Sequence, residues 1–280
     1  MTGPDMPGPS FLQETDSDRV IMVFRFSQGD SPLLINVPHA GVEVPPEIEQ
    51  RLSATALKLI DTDWHVHQLV DFAPDSAASL LQATHSRYVI DLNRGADDKP
   101  LYAGPTTGLV PTQTFDGTSL YLGEPPDGEE VAERIERYWH PYHRQLSDSL
   151  DRIRNRHGFA VLLDAHSIRS RVPRLFDGKL PDLNLGTYAG RSCAPDLAAG
   201  VCELLEGQSR FRYVVDGRFK GGYITRHYGQ PESGIHALQI EIAQSCYMDE
   251  DQPQRFDEER AAPLKAFLHN VVDYLVHWRP

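Results

Sequence analysis

Cysteine is scarce. Cys193, Cys202 and Cys246 are the only three in 280 residues, and they are widely spaced and odd in number. That excludes a disulfide framework or a cysteine-rich zinc knuckle and suits a reducing cytoplasm. Long apolar runs are also missing, since segments such as AVLLDA (160–165) fall well short of the roughly 20 residues of a membrane span. The opening MTGPDMPGPSFLQETDSD has neither the basic region nor the apolar core of a signal peptide. Its Gly, Pro and acidic content reads as a flexible tail over residues 1–19, followed by one domain over 20–280. Basic residues are outnumbered, 27 Lys and Arg against 40 Asp and Glu, for a net charge of −13. Broad binding to nucleic acid or to an anionic membrane is therefore not expected. A small acidic substrate is still admissible, because local arginines dominate at contact distance.

Several catalytic templates are absent too. The chain has no GxGxxG after a strand, no GxxxxGK[ST], no HExxH and no GxSxG. No cysteine has a recognisable nucleophile context.

What is present is a succession of short apolar runs between longer amphipathic stretches, the pattern of an α/β fold. Strands are expected at 32–37, 79–84, 88–93, 159–165, 212–217 and 236–243. Several are almost continuously apolar, as strands covered on both faces are. Val131, Ile135, Tyr138, Tyr142, Leu146, Leu150 and Ile153 recur at helical steps and predict a helix over 129–157, stopped by Gly158 and kinked or split by Pro141. Further helices are expected over 195–206 and over 258–277, the latter capped by Asp257. The Gly-, Pro- and Thr-rich stretch 95–130 lacks periodicity and reads as a functional loop.

Polar residues follow the apolar runs. NVPHAG and LLDAHS deliver His39 and His166 just beyond strands, where ligands bind in open α/β sheets. The plainer alternative is that each histidine caps its strand. DTDWHVHQL (61–69) packs two carboxylates and two imidazoles into seven positions, and spacing alone does not say which of Asp61, Asp63, His65 and His67 binds a metal. Asn93-Arg94 is the chemistry of a carboxylate clamp or of a surface pair. Glu241, between two isoleucines, is costly to bury unless paired or working, which suits a general base or a buried ion pair. Arg169, Arg171 and Arg174, and a second basic loop holding Arg218, Lys220 and Arg226, suggest an anionic ligand in an otherwise acidic chain.

Taken together, NVPHAG, DTDWH, SRYVIDLNR, DDKPLYAG, FDGT, DAHSIRS, LFDGKLPDLNLGT, GRFKGGYITRHYGQP and QIEIAQ resemble the N-formylglutamate deformylase (amidohydrolase) family from about Pro32 to Asp249. The resemblance implies a mixed central β-sheet flanked by helices on both faces, like that of zinc carboxypeptidases and the succinylglutamate and aspartate deacylases (phosphorylase/hydrolase-like). It implies hydrolysis of N-formyl-L-glutamate to formate and L-glutamate, the last step of one bacterial route of histidine degradation.

The wider superfamily runs HxxE, Arg, Asn-Arg, His and a late Glu, matched here by His39, Arg87, Asn93-Arg94, His166 and Glu241. Val42 stands where the Glu of HxxE belongs. Glu43 lies one residue late, and Asp63, inside the family-like DTDW, is the preferred carboxylate ligand. The implied cofactor is one divalent ion on His39, Asp63 and His166, zinc first, with cobalt, iron or manganese as alternatives. Glu241 is then the general base, Arg87 an oxyanion donor, and Asn93 with Arg94 the holder of the α-carboxylate. Arg226 or Arg169 is expected to bind the side-chain carboxylate. In DTDWHVHQL, Asp61 is left a supporting role and the two histidines a structural one. The runner-up activities are deacylation of N-formylaspartate or of a succinylated or acetylated amino acid. A different class again is an inactive binding protein on the same fold.

Overall fold

A computed structural model describes residues 22–101 and 106–280. The expected tail at 1–19 and the last residues of DDKPLYAG lie outside the described residues.

The apolar runs become strands: β1 (Phe24–Ser27), β2 (Leu33–Val37), β3 (Ser79–Ala83), β4 (Ala160–Ile168), β5 (Leu183–Gly186), β6 (Tyr213–Val215) and β7 (Ile235–Ala243). They form one sheet in the order β1-β3-β2-β4-β7-β5-β6. Neighbours among β3, β2, β4 and β7 run parallel, while β1 and β5 are antiparallel to β3 and β7. The sheet is mixed, as the resemblance implied.

Side-chain alternation splits the core into two layers. Leu33, Ile35, Val161, Leu163, Leu238 and Ile240 pack on one face against α5 (Pro195–Glu206) and α7 (Glu258–His277), with the short helix α2 (Val66–Leu69) beside them. Leu34, Ala160, Leu162 and Ala237 pack on the other face against Tyr142, Leu146, Leu150 and Ile153 of α4 (His140–His157). Helices thus cover both faces, which is why the central strands lack polar alternation. Remaining helices are α1 (Pro46–Glu49), α3 (Gly128–Arg134) and α6 (Tyr223–Tyr228).

The second face changes character along its strands. Beyond Leu34, Leu162 and Ala237 the same face continues as Asn36, as Asp164 and His166, and as Gln239 and Glu241. Register pairs Asn36 with Asp164, Asp164 with Gln239, and His166 with Glu241. All three strands are parallel, so their carboxyl ends bring these polar residues to one edge.

The helix expected over 129–157 is split as Pro141 demanded. A π-helical turn, Ile135–Trp139, joins α3 to α4, and Pro141 sits in the first turn of α4. Proline has no N–H to continue an α-helical ladder, and widening the preceding turn absorbs the gap. Asp257 caps α7, accepting from the Arg260 amide at 3.0 Å.

The run 88–93, expected as a strand, is a series of turns instead, with Val89 N donating to Ser86 O and Arg94 N to Asp91 O. Tyr88, Val89, Ile90 and Leu92 are buried without joining the sheet. Their apolar character reports burial, which a packed loop achieves as well as a strand. β1 and β5 were not among the expected strands, since four residues each give little periodicity to read.

Candidate metal centre and cavity

His39 lies just past β2, and Gly41 lets the chain turn there. A Cβ on Gly41 would lie 2.3 Å from the His85 carbonyl oxygen, so only glycine fits against that backbone. The Asp63 amide donates to the His39 carbonyl at 3.0 Å, tying the DTDW loop to the histidine. His166 comes from the seventh position of β4.

Among the described residues these three form the one group of three His, Cys, Asp or Glu side chains able to hold a metal ion, and all are buried. Nδ1 of His39 and Nδ1 of His166 are 3.1 Å apart; Asp63 Oδ2 is 3.1 Å from the second and 3.6 Å from the first. Donor atoms around a tetrahedral zinc, each about 2.0–2.1 Å from the ion, are about 3.3 Å from one another.

Proton placement makes the same point. His39 Nε2 is 2.8 Å from Asp91 Oδ1, and His166 Nε2 is 3.0 Å from Asp164 Oδ2. A carboxylate only accepts, so each ring carries a proton on Nε2, and Nδ1 is the ring nitrogen turned toward the other two ligand candidates. Asn93 Nδ2 also lies 3.0 Å from His166 Nε2, but a lone pair there would face the Asp164 carboxylate. Three potential ligand atoms therefore converge, which is the shape of a cation site, with each imidazole steered by a carboxylate behind it. Burial opposes charge on His166, yet the carboxylates of Asp164 and Asp63 outweigh it and push its pKa well above the ordinary value. The surroundings thus demand positive charge, and a divalent ion fits the donor set.

Glu43, the alternative ligand, is exposed and lies away from the cavity. Asp61 accepts from Tyr88 Oη at 2.9 Å and from the Phe115 amide at 2.8 Å, the supporting role expected of it. His65 donates through Nε2 to the Pro253 carbonyl, and neither it nor His67 lines the cavity.

The three ligand candidates sit on the floor of a cavity of about 70 Å³. That is room for several water-sized groups, the scale of a small molecule. Glu241 lines it beside His166, and its Oε2 accepts from Gln239 Nε2 at 3.1 Å. Burial pushes Glu241 up to about 8, with the His166 charge opposing and the Asp63 charge adding. Gln239 Oε1 in turn accepts from the Gly222 amide at 2.7 Å.

The expected arginines divide. Arg87 reaches the floor, but its guanidinium already bonds Asp63 Oδ1 (3.2 Å), Asp91 Oδ2 (2.9 Å) and the Asp61 carbonyl (3.3 Å). Asn93 is held too: its Nδ2 donates to Asp164 Oδ2 at 3.5 Å, and its Oδ1 accepts from the Ile224 amide at 2.8 Å. Asn93 and Arg94 both line the cavity, and Arg94 is the cation of the pair. Arg94 binds the Thr107 carbonyl and hydroxyl, Thr106 Oγ1 and the Asn93 carbonyl, and forms no ion pair among the described residues.

Arg169 and Arg226, expected to hold a side-chain carboxylate, are both absent from the cavity wall. Arg169 pairs with Asp116 (2.8 Å) and Asp61 (3.5 Å), and Arg226 bonds the carbonyls of Gly221 and Leu101 over the Tyr188 ring. Local competition for their donors draws both away. Arg218, from the same basic loop as Arg226, lines the cavity instead.

Asp91, Asp164, Asn36 and Gln239 went unread in the sequence. Asp164 is held by Asn36 Nδ2 at 2.8 Å, and Asn36 by Tyr142 Oη at 2.7 Å. A signal existed: YVIDLN and VLLDAH each place an acid inside an apolar run, where burial demands a partner. Trp139, on the π turn, donates to the Arg94 carbonyl at 2.9 Å, and His143 donates to the Leu92 carbonyl at 2.9 Å. Those two bonds clamp the loop that carries Asn93 and Arg94.

Comparison with known proteins matches residues 31–248 to the N-formylglutamate amidohydrolase family. The chain is 52% identical over 260 residues to the N-formylglutamate deformylase of Pseudomonas putida, covering 91% of this chain and 96% of that one. Identity to the N-formylglutamate deformylase of Pseudomonas aeruginosa is 50%, over 91% and 97% of the two chains. The crystal structure of N-formylglutamate amidohydrolase from Ralstonia eutropha superposes with a TM-score of 0.80 at 26% identity, over 91% and 98%. A protein of Agrobacterium tumefaciens shares the fold at a TM-score of 0.70 and 18% identity, over 90% and 94%.

Proposed function

The chain belongs to the N-formylglutamate amidohydrolase family, and from that premise we propose that it hydrolyses N-formyl-L-glutamate to formate and L-glutamate with the help of one divalent metal ion. The convergence of three potential metal-ligand atoms beside a buried glutamate carries the reading.

His39, Asp63 and His166 would hold the ion, through Nδ1, Oδ2 and Nδ1. Two imidazoles and a carboxylate suit zinc first, although cobalt, iron or manganese has a compatible donor preference. Bound there, a divalent ion supplies Lewis acidity, polarising a carbonyl and easing deprotonation of water near neutral pH.

Glu241 is the general base in this reading. Its Oε2 is occupied by Gln239, while Oε1 has no hydrogen-bond partner among the described residues and is left to meet a water. It takes a proton from the water as that oxygen attacks the formyl carbon, then passes the proton to the amide nitrogen as the C–N bond breaks. A carboxyl raised toward neutrality is a stronger base than one in water, and a cation beside it keeps it ionised. Arg87 acts as a positioning residue, because its nitrogens hold Asp63 and Asp91 and through them both the carboxylate ligand and His39. Arg94 binds the α-carboxylate from the wall. The two terminal nitrogens of Arg87 are engaged by the Asp63 and Asp91 carboxylates and the Asp61 carbonyl, so positioning is the role assigned to it in this reading.

No helix of the described residues is long and apolar enough to cross a membrane. Free Cys193, Cys202 and Cys246 suit the cytoplasmic setting we propose with this activity.

The test is turnover of N-formylglutamate by metal-loaded and chelated protein. Loss on chelation and recovery with zinc are expected. Activity surviving complete metal removal, or a preference for N-formylaspartate or N-succinylglutamate, would overturn the metal or the substrate assignment respectively.

A further inference from the structure

We propose that Arg218 is the residue that reads the substrate's side-chain carboxylate and so makes the enzyme selective for acidic N-acyl amino acids; the inference rests on the hydrolase reading above. Two arginines that are not bound to the metal site's carboxylates line the cavity, Arg94 and Arg218, and they are held by different loops. Arg94 follows Asn93, whose amide touches His166, so it stands next to the reacting centre. Arg218 is tied elsewhere: its Nε donates to the Leu175 carbonyl at 2.8 Å, on the loop after β4. In an N-acyl glutamate the α-carboxylate is one carbon beyond the one bonded to the scissile nitrogen, and the side-chain carboxylate is two methylenes further. The arginine next to Asn93 therefore suits the first, and the arginine held at Leu175 beside the apolar wall suits the second.

Apolar groups accompany Arg218. Phe115, Ile168, Leu175 and Phe219 line the same cavity and belong to one small cluster separate from the two core layers. Such a wall matches a pair of methylenes and leaves their terminal carboxylate to the guanidinium. The loop is also held in place. The Tyr188 amide donates to the Lys220 carbonyl at 2.6 Å, and the Gly222 amide to Gln239. A Cβ on Gly222 would lie 2.3 Å from Asn93 Nδ2, so glycine lets this loop close over the floor. A pre-set guanidinium loses little freedom on binding, which favours selectivity.

The test compares N-formylglutamate with N-formylnorvaline, whose side chain is of similar length and uncharged, in the metal-loaded enzyme. Arg218→Leu is expected to lower kcat/KM for N-formylglutamate by roughly 100-fold while leaving the slow turnover of N-formylnorvaline within about threefold. Arg218→Lys should recover part of the loss, because the charge returns without the fork. The neutral substrate doubles as a folding control. Equal losses on both substrates, or no loss on either, would overturn the proposal. Failure of the parent reading looks different: the unsubstituted enzyme would then prefer another acyl group, and selection for the acidic side chain would be read with that acyl group.

Discussion

On the floor of the cavity the functional side chains come from, or lie directly beside, the central parallel strands, and almost every polar atom has a partner: His39 on Asp91, His166 on Asp164, Asp63 on Arg87 and Ser167, Glu241 on Gln239. On the rim, Arg94 and Arg218 rise from loops and are held mainly by carbonyl and hydroxyl oxygens. The floor is a charge network in which each group dictates the protonation and orientation of the next. The rim places two guanidinium groups on the cavity wall. Chemistry that must not vary is placed where geometry is over-determined, and recognition is placed where a cation can still find an anion.

Substitutions should separate the two regions. The largest effect is expected from Glu241→Gln, which keeps shape and the Gln239 contact but cannot accept a proton: kcat should fall about 10³-fold with bound metal unchanged by elemental analysis. Retained turnover would remove Glu241 as the base. Next, Asp91→Asn weakens the support behind His39 and should reduce metal affinity by about 10–100-fold, measured by competition with a chelator; unchanged affinity would mean that the floor does not work as a network. On the rim, Arg94→Leu should raise KM by about tenfold or more with a smaller change in kcat. A fall in kcat alone would move Arg94 from recognition to chemistry.

A smaller effect tests how far the floor's support extends. Burial holds His143 down to about 3, from an ordinary 6.5, although its bond to the Leu92 carbonyl opposes the shift. Between those values the unfolded chain takes up a proton that the folded one does not, so stability falls as pH falls through that window. Replacing His143 by Gln should flatten the decline by up to about 1.4 kcal/mol per pH unit, read from urea midpoints at pH 7, 6 and 5. An unaltered slope would show that His143 is not buried as a neutral group. The smallest effect is expected from Arg169→Leu, which lines neither region and reaches the floor only through Asp61: kcat and KM should stay within about threefold, and a large rise in KM would restore Arg169 as a substrate ligand.

The floor was partly legible. His39 and His166 could be read because a polar residue after an apolar run marks the end of a buried strand, and Glu241 because an acid between isoleucines needs a reason to be there. The strand expected at 88–93 illustrates the limit, since Tyr88, Ile90 and Leu92 are buried in turns. The rim was not legible. Arg169, Arg218 and Arg226 are equivalent as letters, and the difference lies in whether Asp116, the Gly221 carbonyl or the cavity is within reach.

DTDWHVHQL, with four candidate ligands in nine residues, draws the same boundary. By itself the sequence determined the alternation of strands and helices, the two layers of core, and a set of polar residues bound for one edge of the sheet. These follow from local periodicity, which each segment carries alone. Only the tertiary structure decided that Asp63 faces His39 and His166, that His65 turns to the Pro253 carbonyl, and that Arg218 rather than Arg226 meets the cavity. Each of those outcomes depends on a partner far away in the chain, and hydrogen bonds and ion pairs act over a few ångströms of space, whatever the separation in sequence.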